Sequence, residues 1–386
     1  MYNTFMMITT TKELKAVCSR FAKHPFMTVD TEFIREKTYY PQVCLIQIAS
    51  PEEAFCVDPL AEGLSLEPLF QLFVNKDVIK VFHACRQDIE IFYHLNSQIP
   101  VPVFDTQVGA MVCGYGDNVS YSQLVHDFVG VSLDKTMRIT DWAHRPLTPE
   151  QIEYALHDVI ELRDVYTKMM ARICESNRLD WLSEEMLNLI TPETYQVDPV
   201  KAWQKIKVPF KNPLMLHVFA RLCAWRERSA QAKNRPRKHI LKDEALIELA
   251  IAHPKDVSAL DHLRAFSEGF SKSDVAAELI QVVQQALADD PAEFERLAVS
   301  KPLTTAEKNM CEFLRLVLSA VCDEHCVAPK LIASTDEINA FIQTQQASFL
   351  TGWRHQIFGK YALLAIKGQL KLAYSPELGR LTLQTK

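Results

Sequence analysis

At 386 residues the chain has room for two or three domains. Its composition, 48% apolar and 23% charged with only 10 glycines, is that of a globular protein and argues against long disordered segments. No uninterrupted apolar run approaches the roughly 18 residues of a membrane span, and a formal net charge of −6 means that any nucleic-acid binding must rest on local basic patches.

Near the N-terminus, Phe5-Met6-Met7-Ile8 is too short for the core of a signal peptide. Thr10 and Glu13 have capping-box spacing and predict a helix from about Lys12 to Lys23. The strand Phe26-Met27-Thr28-Val29-Asp30-Thr31-Glu32-Phe33 follows. Successive strand residues face opposite ways, so Asp30 and Glu32 share a face and Thr31 points away. Two acids side by side at the end of a buried strand repel each other and lose hydration. A divalent cation such as Mg²⁺ or Mn²⁺ relieves both costs, because hard oxygen ligands suit it. The alternative is a solvent-facing strand with two acids. The run Val43–Ala49 and the run Ala54–Pro59, stopped by its proline, predict two more strands, and three in succession suggest an antiparallel meander.

Leu66–Val74 reads as a helix, and from Val78 onward the pattern is strand, helix, strand, helix, the mark of an α/β layer. A strand at Val78–Ala84 leads directly into a helix at Arg86–Leu95, with Asp88 in its first turn where it meets the helix dipole. Val103–Thr106 is a short strand, and Asp105 at its end reads as the N-cap of the helix after it or as a residue supporting the acids, with direct metal contact the lesser alternative. A further helix covers Ser122–Phe128. Asp134-Lys135 and Asp141–Leu147 lie in a polar connection. Thr148, Pro149 and Gln151 then open a helix with a capping box and proline at its first position. Tyr154 and Asp158 are four apart on it and lie on one face, and Val159, Leu162 and Val165 can hold it to the core. His157, adjacent to Asp158, is expected to point elsewhere.

Pro192, Pro199, Pro209 and Pro213 punctuate a boundary, after which the chain reads helical almost throughout, to a short terminal hairpin after Gly368. Between Arg221 and Lys242 lie Arg221, Arg226, Arg228, Lys233, Arg235, Arg237, Lys238 and Lys242 against Glu227. The segment Lys233–Lys238 sits between two helices, and several cations projecting from a loop suit phosphate binding. The plainer reading is a solvated charged face. The ten scattered cysteines read as reduced thiols of a cytosolic protein. Cys322, His325 and Cys326 would make half of a zinc site with no evident second half, or a helix with buried thiols.

Asp30, Glu32, Asp88 and Asp158 are thus four acids at the ends or starts of elements in one α/β layer, with Tyr154 one turn before the last. About this many carboxylates are needed to hold two divalent cations around a phosphate. Tyr154 could orient the attacking water.

Val29–Phe33, His83-Ala84 followed by Asp88, and Tyr154-Ala155-Leu156-His157-Asp158 resemble the three exonuclease motifs of the DEDD superfamily, in its tyrosine-bearing DEDDy branch. Thr38–Gln42, Leu45-Ile46-Gln47, Asp134-Lys135 and Asp141–Leu147 are similar to the bacterial ribonuclease D family, and the helical blocks resemble tandem HRDC domains. Leu156 and His157 stand where that family often has smaller residues.

The resemblance implies an α/β, ribonuclease H-like exonuclease domain with a mixed sheet at 1–190 and a linker at 191–210. A first HRDC-like helical domain at 211–292 and a second, divergent one at 300–386 would follow. The implied activity is 3′→5′ exoribonuclease, releasing nucleoside 5′-monophosphates from RNA with a single-stranded 3′ end, tRNA precursors among them. Asp30, Glu32 and Asp158 would bind one cation (Mg²⁺ or Mn²⁺) and Asp30 would bridge to a second near Asp88. Tyr154 would position the water. Thr31, Phe33, Gln47 and His83 would contact the terminal nucleotides, and Arg235, Arg237 and Lys238 the RNA backbone. A cytoplasmic monomer without membrane attachment is expected. The rival readings are a DNA exonuclease of the same superfamily and a non-catalytic nucleic-acid-binding protein.

Overall fold

The computed structural model describes residues 7–134, 137, 140–290, 292 and 302–385, so Lys135 lies outside the described residues. The contacts divide the chain into two units: one of Met1–Phe33, Val43–Pro192 and Pro302–Lys386, and one of Ile34–Gln42 with Glu193–Lys301.

The first unit is built on a six-stranded sheet. Its strands are β1 (Met7–Ile8), β2 (Phe26–Ile34), β3 (Gln42–Ala49), β4 (Ala54–Val57), β5 (Ile79–Phe82) and β6 (Val103–Asp105), in the spatial order β1-β4-β3-β2-β5-β6. β3 and β4 pair antiparallel, whereas β1 with β4, β2 with β5 and β5 with β6 pair parallel. The sheet is therefore mixed, as expected: β2, β3 and β4 are neighbours in the order of the predicted meander, β3 and β4 pair antiparallel, and the parallel pairs lie outside it. The helical crossovers after β4 and β5 bring the chain back in the same direction, and a parallel pair results.

The helices opened by the Thr10 and Thr148 capping boxes form where those boxes predict them. α1 (Thr11–Phe21) starts at the Thr10–Glu13 capping box and buries Leu14, Val17, Cys18 and Phe21 at helical spacing. α2 (Glu67–Phe73) and α3 (Arg86–Asn96) follow β4 and β5. α4 (Thr106–Val112) and α5 (Tyr121–Val129) begin at Asp105 and Ser120, whose side chains accept from backbone N–H groups of the first turn.

The longest helix is α6 (Pro149–Glu175), 27 residues with the predicted Thr148–Gln151 capping box. Neither glycine nor an internal proline interrupts it. Ala155, Val159, Leu162, Val165 and Ile173 are buried along one side. The helix is tied to the centre of the sheet where the Thr28 hydroxyl donates to the Val159 carbonyl at 2.7 Å.

α7 (Leu179–Leu189) follows. The chain re-enters this unit with a helix at Thr305–His325 and ends in the predicted hairpin, Leu370–Ser375 with Arg380–Thr385. The block set apart in sequence as a domain at 300–386 packs its described residues into the same core as α4, α5 and α6. Leu314, Val317, Leu331, Phe341 and Phe358 join Ala110, Leu124, Leu162 and Met169 in one continuous cluster. Cys322 and Cys326 are free thiols, Cys322 buried in that cluster.

The second unit is helical: α8 (Pro213–Ala232), α9 (Arg237–Ile240), α10 (Asp243–Ala252) and α11 (Asp274–Ala288) pack around Phe219, Leu222, Leu246, Leu249, Leu279 and Val283. Its buried acid is Glu227, which accepts from the Tyr39 hydroxyl and from both Arg237 Nε and Nη2. Arg237 also lies over the Tyr39 ring, 4.9 Å from its centroid. Two cations of the basic stretch are thus ion-paired within this unit, the loop's Arg237 with Glu227 and the buried Arg226 with Asp243. A third, Arg221, reaches Asp289. A carboxylate buried as deeply as Glu227 needs such partners. Lys233, Arg235 and Lys238 remain exposed.

Candidate active site

β2 places Asp30 and Glu32 on one face, and α6 brings Asp158 against them. One carboxylate oxygen from each of the three lies within 4.8 Å of the others, the one such grouping of metal-ligating side chains among the described residues. At that spacing each pair of charges repels by roughly 3 kcal/mol for an effective dielectric of about 20. Burial, and then the field of Asp158, holds Asp30 well above the usual carboxylate range. Burial and the charges of Asp30, Asp158 and Asp88 push Glu32 up to about 9. Asp158 is pushed up to about 7 by burial and by Glu161.

Asp88 belongs to the same electrostatic group without sitting in the same triangle. Burial and the charge of Asp30 raise it, while the Thr31 hydroxyl donates to its Oδ1. Thr31 alternates away from Asp30 and Glu32 as the strand predicts. Its hydroxyl donates to Asp88, so it holds an acid of the site. Asp105, read in sequence as an N-cap, is one: it accepts from Gln107 N–H at 2.8 Å. It also accepts from the N–H groups of Ala84 and Cys85, both at 2.9 Å. Ala84 sits at φ 57°, a left-handed conformation that costs a residue with a Cβ. Asp105 therefore pins the bend that delivers Asp88.

Tyr154 and Asp158 border a cleft of about 380 Å³ whose opposite wall is Val131–Asp134 with Met137. The Trp142 ring lies 6.2 Å from the Tyr154 ring, inclined at 37°. Trp142 is held in turn by Arg145, whose Nε and Nη2 each bind Asp58 at 2.8 Å and whose Nη1 binds the Trp142 carbonyl at 2.8 Å. The Asp141–Leu147 stretch thus buttresses the tyrosine.

His157 corrects one expectation, because it lines this cleft beside Tyr154 and Asp158. Adjacent helical positions diverge, but the cleft is broad enough to meet both. Its Nδ1 is 2.8 Å from Glu161 Oε1. Phe33 is half-buried at the end of β2. His83 is largely buried, with Nδ1 3.0 Å from Thr106 Oγ1 and its ring 5.5 Å from Tyr121. Thr106 donates its own proton to the Phe82 carbonyl, so His83 carries hydrogen on Nδ1. Burial holds its pKa below the usual value. Gln47 is wholly buried on β3 and presents no surface to a nucleotide. Arg235, Arg237 and Lys238 belong to the helical unit.

Two residues at this site escaped the sequence reading. Glu161 is one turn beyond Asp158 on α6, so helical spacing could have found it. Tyr121 feels Asp158, Glu161 and Asp30, and its hydroxyl donates to the His157 carbonyl at 3.0 Å. No local pattern marks it.

Comparison with known proteins gives this geometry its family. A 3′-5′ exonuclease family model matches residues 5–173, and an HRDC domain model matches residues 215–283. The chain is 46% identical to ribonuclease D of Nitrobacter hamburgensis, over 95% of this chain and 96% of that one. It is 41% identical to ribonuclease D of Bartonella henselae, over 96% and 92%. The chain belongs to the ribonuclease D family. Its activity is that of a 3′→5′ exoribonuclease, a hydrolase of phosphodiester bonds. Among solved structures it is similar to Escherichia coli RNase D, described as an exoribonuclease involved in structured RNA processing. That match has a TM-score of 0.79 and 26% identity and covers 94% of this chain and 98% of the other. No described helix is long and apolar enough to cross a membrane.

The donor set fits divalent cations: oxygen ligands only, in a triangle whose mutual repulsion a cation relieves. Without cations the folded chain keeps protons on Glu32 and Asp158 that the unfolded chain releases near pH 4. The pair therefore favours the folded state at low pH, and that contribution is lost as pH rises through 7 to 9. We expect the metal-free protein to melt at progressively lower temperature between pH 6 and pH 9. Saturating Mg²⁺ should raise the melting temperature more at pH 8.5 than at pH 6. Thermal melts with and without EDTA read this directly, and an equal Mg²⁺ effect at both pH values would contradict it.

Proposed function

We propose that Asp30, Glu32, Asp88 and Asp158 hold two divalent cations, Mg²⁺ or Mn²⁺, at which the 3′-terminal phosphodiester of an RNA is hydrolysed. The observation that supports this most is the convergence of Asp30, Glu32 and Asp158 oxygens within 4.8 Å. When bound, the cations supply positive charge to the attacking and departing oxygens of an in-line displacement. Asp30, Glu32 and Asp158 hold the first cation. Asp30 and Asp88 hold the second, with Thr31 fixing the Asp88 rotamer. Tyr154, backed by Trp142, accepts a hydrogen bond from the attacking water and sets its angle at the phosphorus. The departing 3′ oxygen stays on the shortened RNA, and a nucleoside 5′-monophosphate leaves. Phe33, half-buried where β2 reaches the acids, offers its ring to the terminal base. His83 stands behind these groups through Thr106 and Tyr121.

RNA with a single-stranded 3′ end is the substrate of this reading, tRNA precursors among them. The helical unit contributes affinity through Lys233, Arg235 and Lys238, while Arg237 is occupied with Glu227. A cytoplasmic monomer completes the reading. In domain terms it comprises an exonuclease domain at 1–190, a linker at 191–210, an HRDC-like domain at 211–292 and a divergent HRDC-like block at 300–386 whose described residues share the exonuclease core.

The test is a 5′-labelled RNA with a single-stranded 3′ tail, incubated in Mg²⁺, Mn²⁺ or EDTA. A ladder shortening from the 3′ end is expected, absent in EDTA and in Asp30→Asn. Tyr154→Phe should lower kcat by about 10²- to 10⁴-fold with little change in KM. RNA that is bound but left intact would overturn the reading.

The basic surface has its own measurement. Replacing Lys233, Arg235 and Lys238 together with Ala should reduce the slope of log affinity against log salt by about 2, as loss of three single-strand phosphate contacts implies. Cleavage of a very short substrate should be nearly unchanged. An unaltered salt slope would remove these residues from the RNA interface.

A further inference from the structure

Gln47 sits in the middle of β3 with no exposed surface, and neither its Nε2 nor its Oε1 has a hydrogen-bond partner among the described residues. A primary amide brings two donors and an acceptor. Burying all of them unmet is rare and costly, and an apolar side chain of the same size would fill the space at no such cost. Filling the core is therefore a poor account of a glutamine here.

Its position in the sheet supplies a better one. On β4, Phe55 packs its ring against Phe21 of α1, with centroids 6.2 Å apart. The next residue, Cys56, turns to the other face, where α6 packs on β4. Gln47 pairs in register with Cys56 and so shares that face. On β2, Thr28 reaches α6 through its bond to the Val159 carbonyl, and Asp30 and Glu32 follow it at alternate positions. β3 lies between β2 and β4 in the sheet. The Gln47 amide thus stands on the strand beside Asp30 and Glu32, on the same face. In keeping with this, the charge of Glu32 is felt as far as Cys56, across β3.

We propose that Gln47 is a positioning residue for the Asp30–Glu32 carboxylate pair, a proposal that rests on the two-cation reading above. A carboxylate that gives one oxygen to a cation keeps lone pairs that need donors. Hydrogen bonds to those lone pairs fix its orientation. The Gln47 NH₂ group is a buried donor on this face with no partner among the described residues. Its amide is kept for the charged, cation-loaded arrangement at a cost to the metal-free one.

This makes the two states respond in opposite directions to one substitution. Gln47→Met keeps the length and removes the amide. The metal-free protein should melt at or above the wild-type temperature, because the orphan group is gone. The Mn²⁺ dissociation constant, read by isothermal titration calorimetry, should rise about 10- to 100-fold. Gln47→Glu keeps the shape but loses the donors, and its Mn²⁺ affinity should fall at least as far at pH 8. Wild-type Mn²⁺ affinity in Gln47→Met would overturn the proposal, as would a lower metal-free melting temperature in that variant. If Gln47→Met does not fold, wild-type Mn²⁺ affinity in Gln47→Glu overturns it. Failure of the underlying reading looks different: the wild-type protein itself, and Asp30→Asn alike, would then show no Mn²⁺ binding.

Discussion

Four carboxylates, Asp88 buried and the other three half-buried, that cannot comfortably be charged together set the terms for this structure. Asp30, Glu32 and Asp158 converge to within 4.8 Å, and Asp88 lies close enough to feel Asp30. Left alone they take up protons, and the fold around them would be better served by apolar side chains. The arrangement makes physical sense when cations share it. It then becomes a preorganised cage whose assembly was achieved in folding the sheet and α6 rather than at the moment of reaction.

Much of the surrounding architecture serves to keep those acids where they are. Thr28 fastens α6 to β2, which sets Asp158 against Asp30. Asp105 collects three backbone N–H groups and so holds the left-handed Ala84 that starts α3 and presents Asp88. Thr31 holds the Asp88 carboxylate from the far side of the strand. Arg145 and Asp58 clamp the loop whose Trp142 backs Tyr154. These polar contacts are buried or half-buried, and apart from the local Asp105–Gln107 cap they join segments distant in sequence. They fix a rotamer or a bend close to the reacting groups more than they add bulk stability.

The parts legible in the sequence were those governed by local rules. Alternation along β2 put Asp30 and Glu32 together. Capping boxes at Thr10 and Thr148 marked the starts of α1 and α6, and four-residue spacing put Tyr154 and Asp158 on one face. The parts that were not legible depend on tertiary partners. Arg237 reads as a free cation until Glu227 and Tyr39 close on it. Tyr121 carries no local signal and gains its place at the site only when α6 arrives beside it. The helices after Thr305 show an apolar face in sequence, but nothing local says that α4, α5 and α6 will cover it. Gln47 was expected at the nucleotide, because sequence shows a polar residue in a strand and not which polar groups its burial leaves unmet.

The most direct measurement is X-ray diffraction from crystals grown with Mn²⁺ and a non-hydrolysable RNA end, with data collected at the manganese absorption edge. The account predicts two anomalous peaks roughly 3.5–4 Å apart, one among Asp30, Glu32 and Asp158 and one between Asp30 and Asp88. Anomalous density only at other sites, or none at these four acids with RNA bound, would contradict it.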